Sequence, residues 1–188
     1  MARCSSEGAY NGKWESMRGI LLPGNHSGAV RPPRRFRSAA YADDMAEWQD
    51  PEATRFMLDD CETWAVVGLS GDPGRTAYSI ADLLQRRGKR IVPIHPSAPV
   101  VLGEQGYAAL ADVPFPIDVV DVFRRSEAAG EFADQAVAVG ARGVWFQLGV
   151  IDVAAFERTW AAGVPMVMNA CPAIEWRRRP IPREEKGA

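Results

Sequence analysis

The chain has 188 residues, of which 47% are hydrophobic and 24% are charged. This composition is typical of one globular domain with a buried core. Its 22 Lys and Arg residues nearly balance its 24 Asp and Glu residues, which leaves a formal charge of -2. A charge this small excludes bulk electrostatic attraction to nucleic acid or to an anionic membrane surface. We therefore expect neither of these among the partners.

The charge is distributed unevenly along the chain. Residues 1–42 contain seven Lys and Arg residues against two Glu residues, whereas the rest of the chain is net acidic. Residues 1–44 also lack helical or strand periodicity and are interrupted by Gly and Pro, so we expect a disordered basic leader. An organelle transit peptide, an anion-binding arm and translation that starts at Met45 are the interpretations left open for it.

The cysteines and the apolar stretches indicate in which cellular compartment the protein is expected. Cys4, Cys61 and Cys171 are odd in number and far apart, which argues against a disulfide framework and against a zinc site. The longest apolar stretch near the N-terminus, residues 19–23, is far shorter than the roughly 18 residues of a membrane helix. We expect a cytoplasmic protein with reduced thiols and no bound metal.

From Pro51 onward the sequence alternates between two kinds of pattern. Phe56, Met57 and Cys61 have the spacing of one short amphipathic helix. Apolar runs of strand length then alternate with amphipathic stretches of helix length, which is typical of a parallel sheet covered by helices. The predicted strands are residues 64–70, 90–94, 117–123, 144–149 and 164–169, and the predicted helices are residues 76–88, 126–140 and 152–163.

Capping residues and turn residues set several of these boundaries. Gly88 is predicted to end the first of the three helices and Asp152 to cap the last. One helical turn is predicted around residues 107–111. From Trp176 the chain is rich in Arg and Pro, so we expect no helix there and a solvated tail over residues 177–188.

These elements predict an α/β fold over residues 45–176. We expect a Rossmann-like, doubly wound architecture with a five-stranded, mainly parallel sheet and helices on both faces. In such open sheets, ligands bind beyond the carboxyl ends of the strands, near the point where the strand order reverses. The candidate site residues are therefore those that follow the predicted strands.

The loop after the first strand has the features of a phosphate-binding loop. Residues 68–76 read GLSGDPGRT. The glycines let a phosphate approach the backbone, the following helix offers free N–H groups, and Arg75 supplies a cation for bidentate contact. The pattern predicts a site for a nucleotide diphosphate. The alternative is an ordinary turn with Arg75 in solvent.

Two observations count against NAD as that nucleotide. Gly68, Gly71 and Gly74 do not have the GxGxxG spacing of the dinucleotide fingerprint. The second strand ends at His95 and Pro96, without the acid that holds the ribose hydroxyls of NAD. A ligand with an extra phosphate on its ribose, such as coenzyme A, suits such neutral or cationic partners better.

A series of short segments extends this interpretation over most of the chain. The segments are VVGLS (66–70), PGR (73–75), IVPIHP (91–96), VLGE (101–104), YAAL (107–110), IDVVDVFRR (117–125), WFQLG (145–149) and VMNACP (167–172). Together they resemble the CoA-binding, Rossmann-type domain found in small stand-alone bacterial proteins and in the N-terminal part of the succinyl-CoA synthetase alpha subunit. The resemblance covers roughly residues 63–176.

The resemblance implies that the chain binds coenzyme A or a short acyl-CoA at the strand ends. The implied site residues are Gly68, Leu69, Ser70, Arg75 and Thr76 for the pyrophosphate, His95 and Pro96 for the adenosine, Phe123 and Arg124 at the next strand end, and Phe146, Gln147 and Gly149 for the pantetheine arm. This chain departs from its relatives at Ala77, where a Ser is common, and at His95, where some carry Asn. The synthetases also have a phosphohistidine and a nucleotide-grasp domain without counterpart here, so synthetase activity is not implied.

The sequence contains no recognisable catalytic constellation. Cys171 ends the last strand, but no His or Asn is placed by sequence to activate it. Asp118 and Asp121 lack the further acids and the Lys of a phospho-receiver, and we expect Asp121 to accept from a backbone or helix-end donor. We therefore expect a binding or regulatory module rather than an enzyme.

Two other classes of function stay as alternatives. An NAD(P)-dependent oxidoreductase or redox-sensing Rossmann protein would bind a dinucleotide at the same strand ends. A pure interaction protein would leave those ends without a ligand. Because small folds of this kind often associate, a homodimer is a further expectation.

Overall fold

A computed structural model describes residues 48–178. The predictions of a disordered leader and of a start at Met45, and most of the predicted tail, fall outside these residues. The strands are β1 (Thr63–Val67), β2 (Arg90–Ile94), β3 (Val119–Val122), β4 (Gly143–Phe146) and β5 (Met166–Val167). The helices are α1 (Pro51–Asp60), α2 (Thr76–Arg86), α3 (Ser126–Ala138), α4 (Val153–Ala161) and α5 (Pro172–Arg178), with a 3-10 turn at Leu110–Asp112.

The five strands form one sheet in the order β2-β1-β3-β4-β5. Every neighbouring pair is parallel, which confirms the predicted doubly wound α/β fold. The second strand has its predicted bounds, whereas the other four end before their predicted carboxyl ends because the chain turns into loops there. No helix in the described part is long and apolar enough to cross a bilayer.

The hydrophobic residues form two core layers, one on each face of the sheet. On β3, Val119 faces the layer under α1, α2 and α5, here called the α2-side core, whereas Val120 and Val122 face the layer under α3 and α4, the α3-side core. Trp145 and Phe146 are fully buried on opposite faces, as expected of core residues. With both faces covered, the strands appear in the sequence as continuous apolar runs.

The predicted helix boundaries at Gly88 and Asp152 are confirmed. Gly88 follows α2 with a φ of +79°. Its N–H donates to the carbonyl of Gln85 at 2.9 Å, and the N–H of Lys89 donates to that of Leu84 at 3.0 Å, which is a Schellman termination. The Asp152 carboxylate caps α4 by accepting from the N–H of Ala155 at 3.0 Å.

Helix α5 corrects the prediction that no helix occurs from Trp176 onward. Trp176, Arg177 and Arg178 are its last residues. Pro172 is its first residue, where proline is tolerated because the first N–H groups of a helix have no intrahelical partner. The 3-10 turn at Leu110–Asp112 likewise lies later than the helical turn predicted at residues 107–111.

Asp118 ties three strands together at the amino-terminal edge of the sheet, the edge opposite the predicted site. Its Oδ2 accepts from the N–H groups of Glu62 and Thr63, both at 2.9 Å, and its Oδ1 accepts from Nη1 of Arg142 at 3.1 Å. Partial burial alone would raise the pKa of Asp118, but these hydrogen bonds outweigh it and hold the pKa below its ordinary value.

We expect Asp118→Ala to lower the free energy of unfolding by about 2 kcal/mol, because charged hydrogen bonds between strands are lost. Urea unfolding at neutral pH measures the change. Asp134→Ala is the matched control, since Asp134 pairs with Arg158 on the exposed surface, and its unfolding should match the wild type.

The same pair of proteins gives a pH test of this role. Because the folded-state pKa of Asp118 is depressed, its stabilisation is present above the ordinary carboxyl pKa and is lost as the pH falls through the folded value. The difference between wild type and Asp118→Ala should therefore shrink on acidification. A difference that stayed constant would assign Asp118 a packing role instead.

Candidate functional site

The strand order places the reversal point of the sheet at the carboxyl ends of β1 and β3, where doubly wound folds have their ligand crevice. From β1 the chain moves to β2 on one side and then returns to β3 on the other side of β1. The loops that leave β1 and β3 therefore diverge, and doubly wound folds bind ligands at this reversal point. The residues that follow these two strands are Gly68 and Phe123.

Gly68 brings the two loops into contact. Its φ is +90°, and a Cβ added to it would lie 2.9 Å from the carbonyl oxygen of Phe123 and 3.7 Å from Cδ of Arg124. Its N–H donates to the carbonyl of Ile94 at 2.8 Å, so the turn is also fixed on the β2 side. Only glycine combines this φ with this approach. The structure therefore brings together Gly68, Phe123 and Arg124.

The loop between β1 and α2 is ordered by Asp72. Its Oδ1 accepts from the N–H of Gly74 at 2.9 Å, and its carbonyl oxygen accepts from the N–H of Arg75 at 3.2 Å. The Arg75 side chain is 73% exposed, with Nε 3.6 Å from Oδ2 of Asp72. Such an exposed ion pair is weak, so the Arg75 guanidinium can turn to a ligand.

The N-terminus of α2 is open to a ligand. Within the described residues no side chain caps this helix, and its first residue, Thr76, is exposed. The first N–H groups of a helix point outward and carry the positive end of the helix dipole. Of the other predicted loop residues, Ser70 is partly exposed, whereas the Leu69 side chain is fully buried in the α2-side core. Only the backbone of Leu69 can therefore contact a ligand.

His95 and Pro96 lie at the end of β2, beside this loop. The Nδ1 atom of His95 accepts from the N–H of Ser97 at 3.2 Å and lies 2.8 Å from Oγ of Ser97. With Nδ1 as an acceptor, the ring hydrogen is on Nε2, which is then a donor. Pro96 is exposed and His95 is partly exposed.

Phe123 and Arg124 lie at the end of β3. Phe123 packs partly against the α2-side core. Arg124 is exposed, and its guanidinium carbon lies 5.8 Å from the ring centroid of Phe132. The crevice therefore has cationic side chains on both loops, Arg75 after β1 and Arg124 after β3.

The end of β4 differs from the expectation for a pantetheine site. The Phe146 side chain is fully buried in the α3-side core and offers no surface to a ligand. Gly149 is exposed, but its N–H donates to Oδ1 of Asn169 at 2.8 Å and its carbonyl accepts from Oγ of Ser126 at 3.3 Å. The N–H of Gly149 is thus engaged within the protein, and its carbonyl oxygen already accepts one hydrogen bond.

Ser126 and Asn169 are the residues that sequence reasoning missed at this end of the sheet. Together they fix the loop after β4, because Ser126 Oγ also accepts from the N–H of Ile151 at 3.0 Å. Asn169 has a φ of +54°, a conformation that Asn tolerates better than most residues. An Asn at the end of the predicted fifth strand, residues 164–169, was the available signal.

Gln147 and Asp121 form a buried pair beneath the strand ends. Nε2 of Gln147 donates to Oδ1 of Asp121 at 2.7 Å, and Oδ2 of Asp121 has no partner among the described residues. Burial raises the pKa of Asp121 to about 8, and the Gln147 hydrogen bond opposes this only in part. The expectation of a backbone or helix-end donor for Asp121 was wrong, because its partner is a side-chain amide.

Comparison with known proteins places this geometry in a family. The model of the family described as CoA binding domain matches residues 62–177. The chain belongs to the CoA-binding domain family. The match confirms the resemblance found in the sequence segments, and it supports coenzyme A binding as the general function of this domain.

Several proteins are similar over most of their own length. The uncharacterized protein YneT of Bacillus subtilis (strain 168) is 34% identical over 107 residues, which cover 57% of this chain and 79% of YneT. A hypothetical protein from Pyrococcus horikoshii OT3 is 33% identical, with a TM-score of 0.64 over 68% of this chain and 89% of its own. A structure from Thermus thermophilus is 30% identical, with a TM-score of 0.64, and the match covers 69% of this chain and 98% of the Thermus chain.

We expect Gly68→Ala to destabilise the protein by about 1–3 kcal/mol, because a Cβ is strained at this φ and meets a backbone oxygen. Gly71→Ala is the control in the same loop, since a Cβ there has no atom within 4 Å. Urea unfolding of the two variants should show a loss for Gly68→Ala alone. Equal stabilities would mean that β3 yields to the new side chain.

Proposed function

We propose that this protein binds coenzyme A or a short acyl-CoA in the crevice between β1 and β3. The observation that carries the proposal is the uncapped N-terminus of α2, with the exposed side chain of Arg75 beside it, at the reversal point of the sheet. A pyrophosphate at this position accepts hydrogen bonds from backbone N–H groups and meets the positive end of the helix dipole. Arg75 then exchanges its weak contact with Asp72 for the phosphate oxygens.

The end of β2 favours coenzyme A over NAD. Residues 95–100 read HPSAPV and contain no carboxylate, whereas NAD sites place an acid on the ribose hydroxyls. Coenzyme A carries a phosphate on its ribose, which a carboxylate would repel. The exposed Pro96 offers an apolar surface for the adenine, and Nε2 of His95 offers a neutral hydrogen-bond donor.

The pantetheine arm would extend from the pyrophosphate past Phe123 and Arg124 toward the end of β4. Gln147 is the polar residue there whose side-chain amide can reach the arm. The side chain of Leu148 is an exposed apolar neighbour, with 55% of its surface accessible. The arm is itself largely apolar with a few amide groups, so this lining matches its chemistry. Phe146 is not part of this proposal.

We propose a binding or regulatory role for the complex rather than catalysis. Of the two described thiols, that of Cys61 is buried in the α2-side core, and burial raises its pKa to about 12. It is therefore a packing residue and no nucleophile. The site proposed above consists of hydrogen-bond donors and cations that bind phosphate. Such groups recognise a ligand and do not by themselves transform it.

Calorimetric titration of the full-length protein tests the proposal. We expect heat of binding and a raised melting temperature with coenzyme A and acetyl-CoA, weaker binding of dephospho-CoA, and none of NAD or NADP. Binding of NAD or NADP alone would overturn the proposal in favour of a dinucleotide-dependent protein. No binding of any of the five would favour an interaction module.

Arg75→Ala should weaken coenzyme A binding by roughly 10- to 100-fold, the scale of a lost charged hydrogen bond. Arg86→Ala is the matched control, because Arg86 lies in the last turn of the same helix, away from the strand ends. Its affinity should equal that of the wild type. An unchanged affinity in Arg75→Ala would remove Arg75 from the site.

A further inference from the structure

Asp121 has a position that neither stability nor phosphate binding explains. It lies on β3 between Val66 of β1 and Trp145 of β4, and none of its surface is exposed. A buried carboxyl group with one unpartnered oxygen is costly, and an apolar residue of similar size would avoid the cost. Among the described residues its one side-chain hydrogen bond is with Gln147, the residue at the strand end beside the proposed site.

Gln147 connects this buried acid to the crevice. Its side chain is only 5% exposed, and its amide nitrogen lies on Asp121. Its Oε1 bonds to no described residue. Unlike Oδ2 of Asp121, however, this Oε1 is not fully sealed from solvent. The Oε1 end of the amide therefore keeps some access to solvent.

The protonation state of Asp121 decides whether the NH2 of Gln147, which points to Asp121 in the structure, can also face outward. An ionised Asp121 only accepts, so the amide NH2 of Gln147 turns inward and the oxygen turns outward. A neutral Asp121 carries an O–H group that can donate to Oε1, which allows the NH2 to turn outward, where a ligand acceptor can hold it. Because the two ends of an amide have nearly the same shape, both arrangements fit the 2.7 Å separation.

We propose that Asp121 is a positioning residue whose neutral form turns the NH2 of Gln147 toward the ligand, where it donates to a carbonyl oxygen of the coenzyme A arm. This inference rests on the coenzyme A site proposed above. The carbonyl belongs to an amide of the pantetheine or to the thioester of an acyl-CoA, and both are acceptors of the same kind. In this proposal Gln147 donates to the ligand, and Asp121 controls which end of the Gln147 amide faces it.

The surroundings of Asp121 allow its neutral form near neutral pH. Burial raises its pKa to about 8, and only the Gln147 hydrogen bond opposes this. The titratable groups packed in or against the same core are the thiols of Cys61 and Cys171 and the phenol of Tyr78. The charged residues of the elements around it are fully or partly exposed: Glu52, Arg55, Asp59 and Asp60 on α1, Asp82 and Arg86 on α2, Glu175, Arg177 and Arg178 on α5, and Arg124 after β3.

The affinity for the ligand should therefore depend on pH. The ligand binds the protonated form better, so the affinity is full below the pKa of Asp121 and falls as the pH rises through about 8. We expect the affinity for acetyl-CoA to fall by roughly 3- to 10-fold, the scale of one neutral hydrogen bond. Acetyl-CoA is the probe because it has no free thiol to titrate over the same range.

Asp121→Asn supplies the test in the full-length protein. Asn has nearly the volume of Asp and has an NH2 that donates to Oε1 at every pH. We expect this variant to keep the low-pH affinity of the wild type and to lose the fall at high pH. Asp134→Asn, an exposed change on α3, should keep the fall.

Gln147→Leu makes the test independent of how well Asp121→Asn folds. It should bind acetyl-CoA weakly at all pH values and show no fall. Infrared titration of the ligand-free protein should show the carbonyl band of a protonated carboxyl group that disappears near pH 8 and is absent from Asp121→Asn.

Two results would overturn the inference. A wild-type affinity without the fall, or a fall that persists in Asp121→Asn, would exclude the Asp121 mechanism while acetyl-CoA binding itself still supported the proposed function. If acetyl-CoA did not bind the wild type at any pH, the proposed function would fail first and the inference with it.

Discussion

The site depends on the close approach of the β1 and β3 ends at Gly68. A Cβ on any other residue at position 68 would lie only 2.9 Å from the carbonyl oxygen of Phe123. Because β1 ends there with a positive φ, the chain leaves the sheet sharply and enters α2 with its first N–H groups over the crevice. The position of Arg75 follows from this turn, and Arg124 lies so near that a Cβ on residue 68 would be 3.7 Å from its Cδ. One absent side chain thus shapes both walls of the proposed pyrophosphate site.

The fold could be predicted from the sequence because its signals are local. Both faces of the sheet are buried, so strands such as β3 and β4 appear as apolar runs without alternation. Gly88 ends a helix because it adopts a positive φ, and Asp152 begins one because its carboxylate accepts from a helix N–H group. Both effects are local and do not depend on the rest of the fold. The strand order was not predictable in this way, because it depends on which parallel neighbours meet, but the right-handed crossovers of alternating elements leave few arrangements.

The parts of the site that sequence reasoning missed depend on contacts between distant segments. Gly149 looked available for a ligand, yet Asn169 and Ser126, each more than 19 residues away in the chain, occupy its backbone groups. Phe146 looked like a wall of the pantetheine site, yet strand alternation turns it into the α3-side core. No local pattern distinguishes an exposed residue at a strand end from one whose neighbours have already taken its hydrogen bonds.

In the proposed complex, the two ends of the crevice would recognise the ligand by different physical means. At β1, backbone N–H groups and Arg75 present fixed positive potential, which suits a phosphate whose charge does not depend on the site. At β4, Gln147 presents an amide that can donate or accept, and a neutral group of the ligand can meet either end. Only a partner with a fixed hydrogen-bonding role can select one end of the amide. In the proposal, a neutral carboxyl group buried away from competing water is that partner. Placed at the surface, the same Asp121 would be ionised and solvated at neutral pH, and it could only accept a hydrogen bond from the NH2 of Gln147.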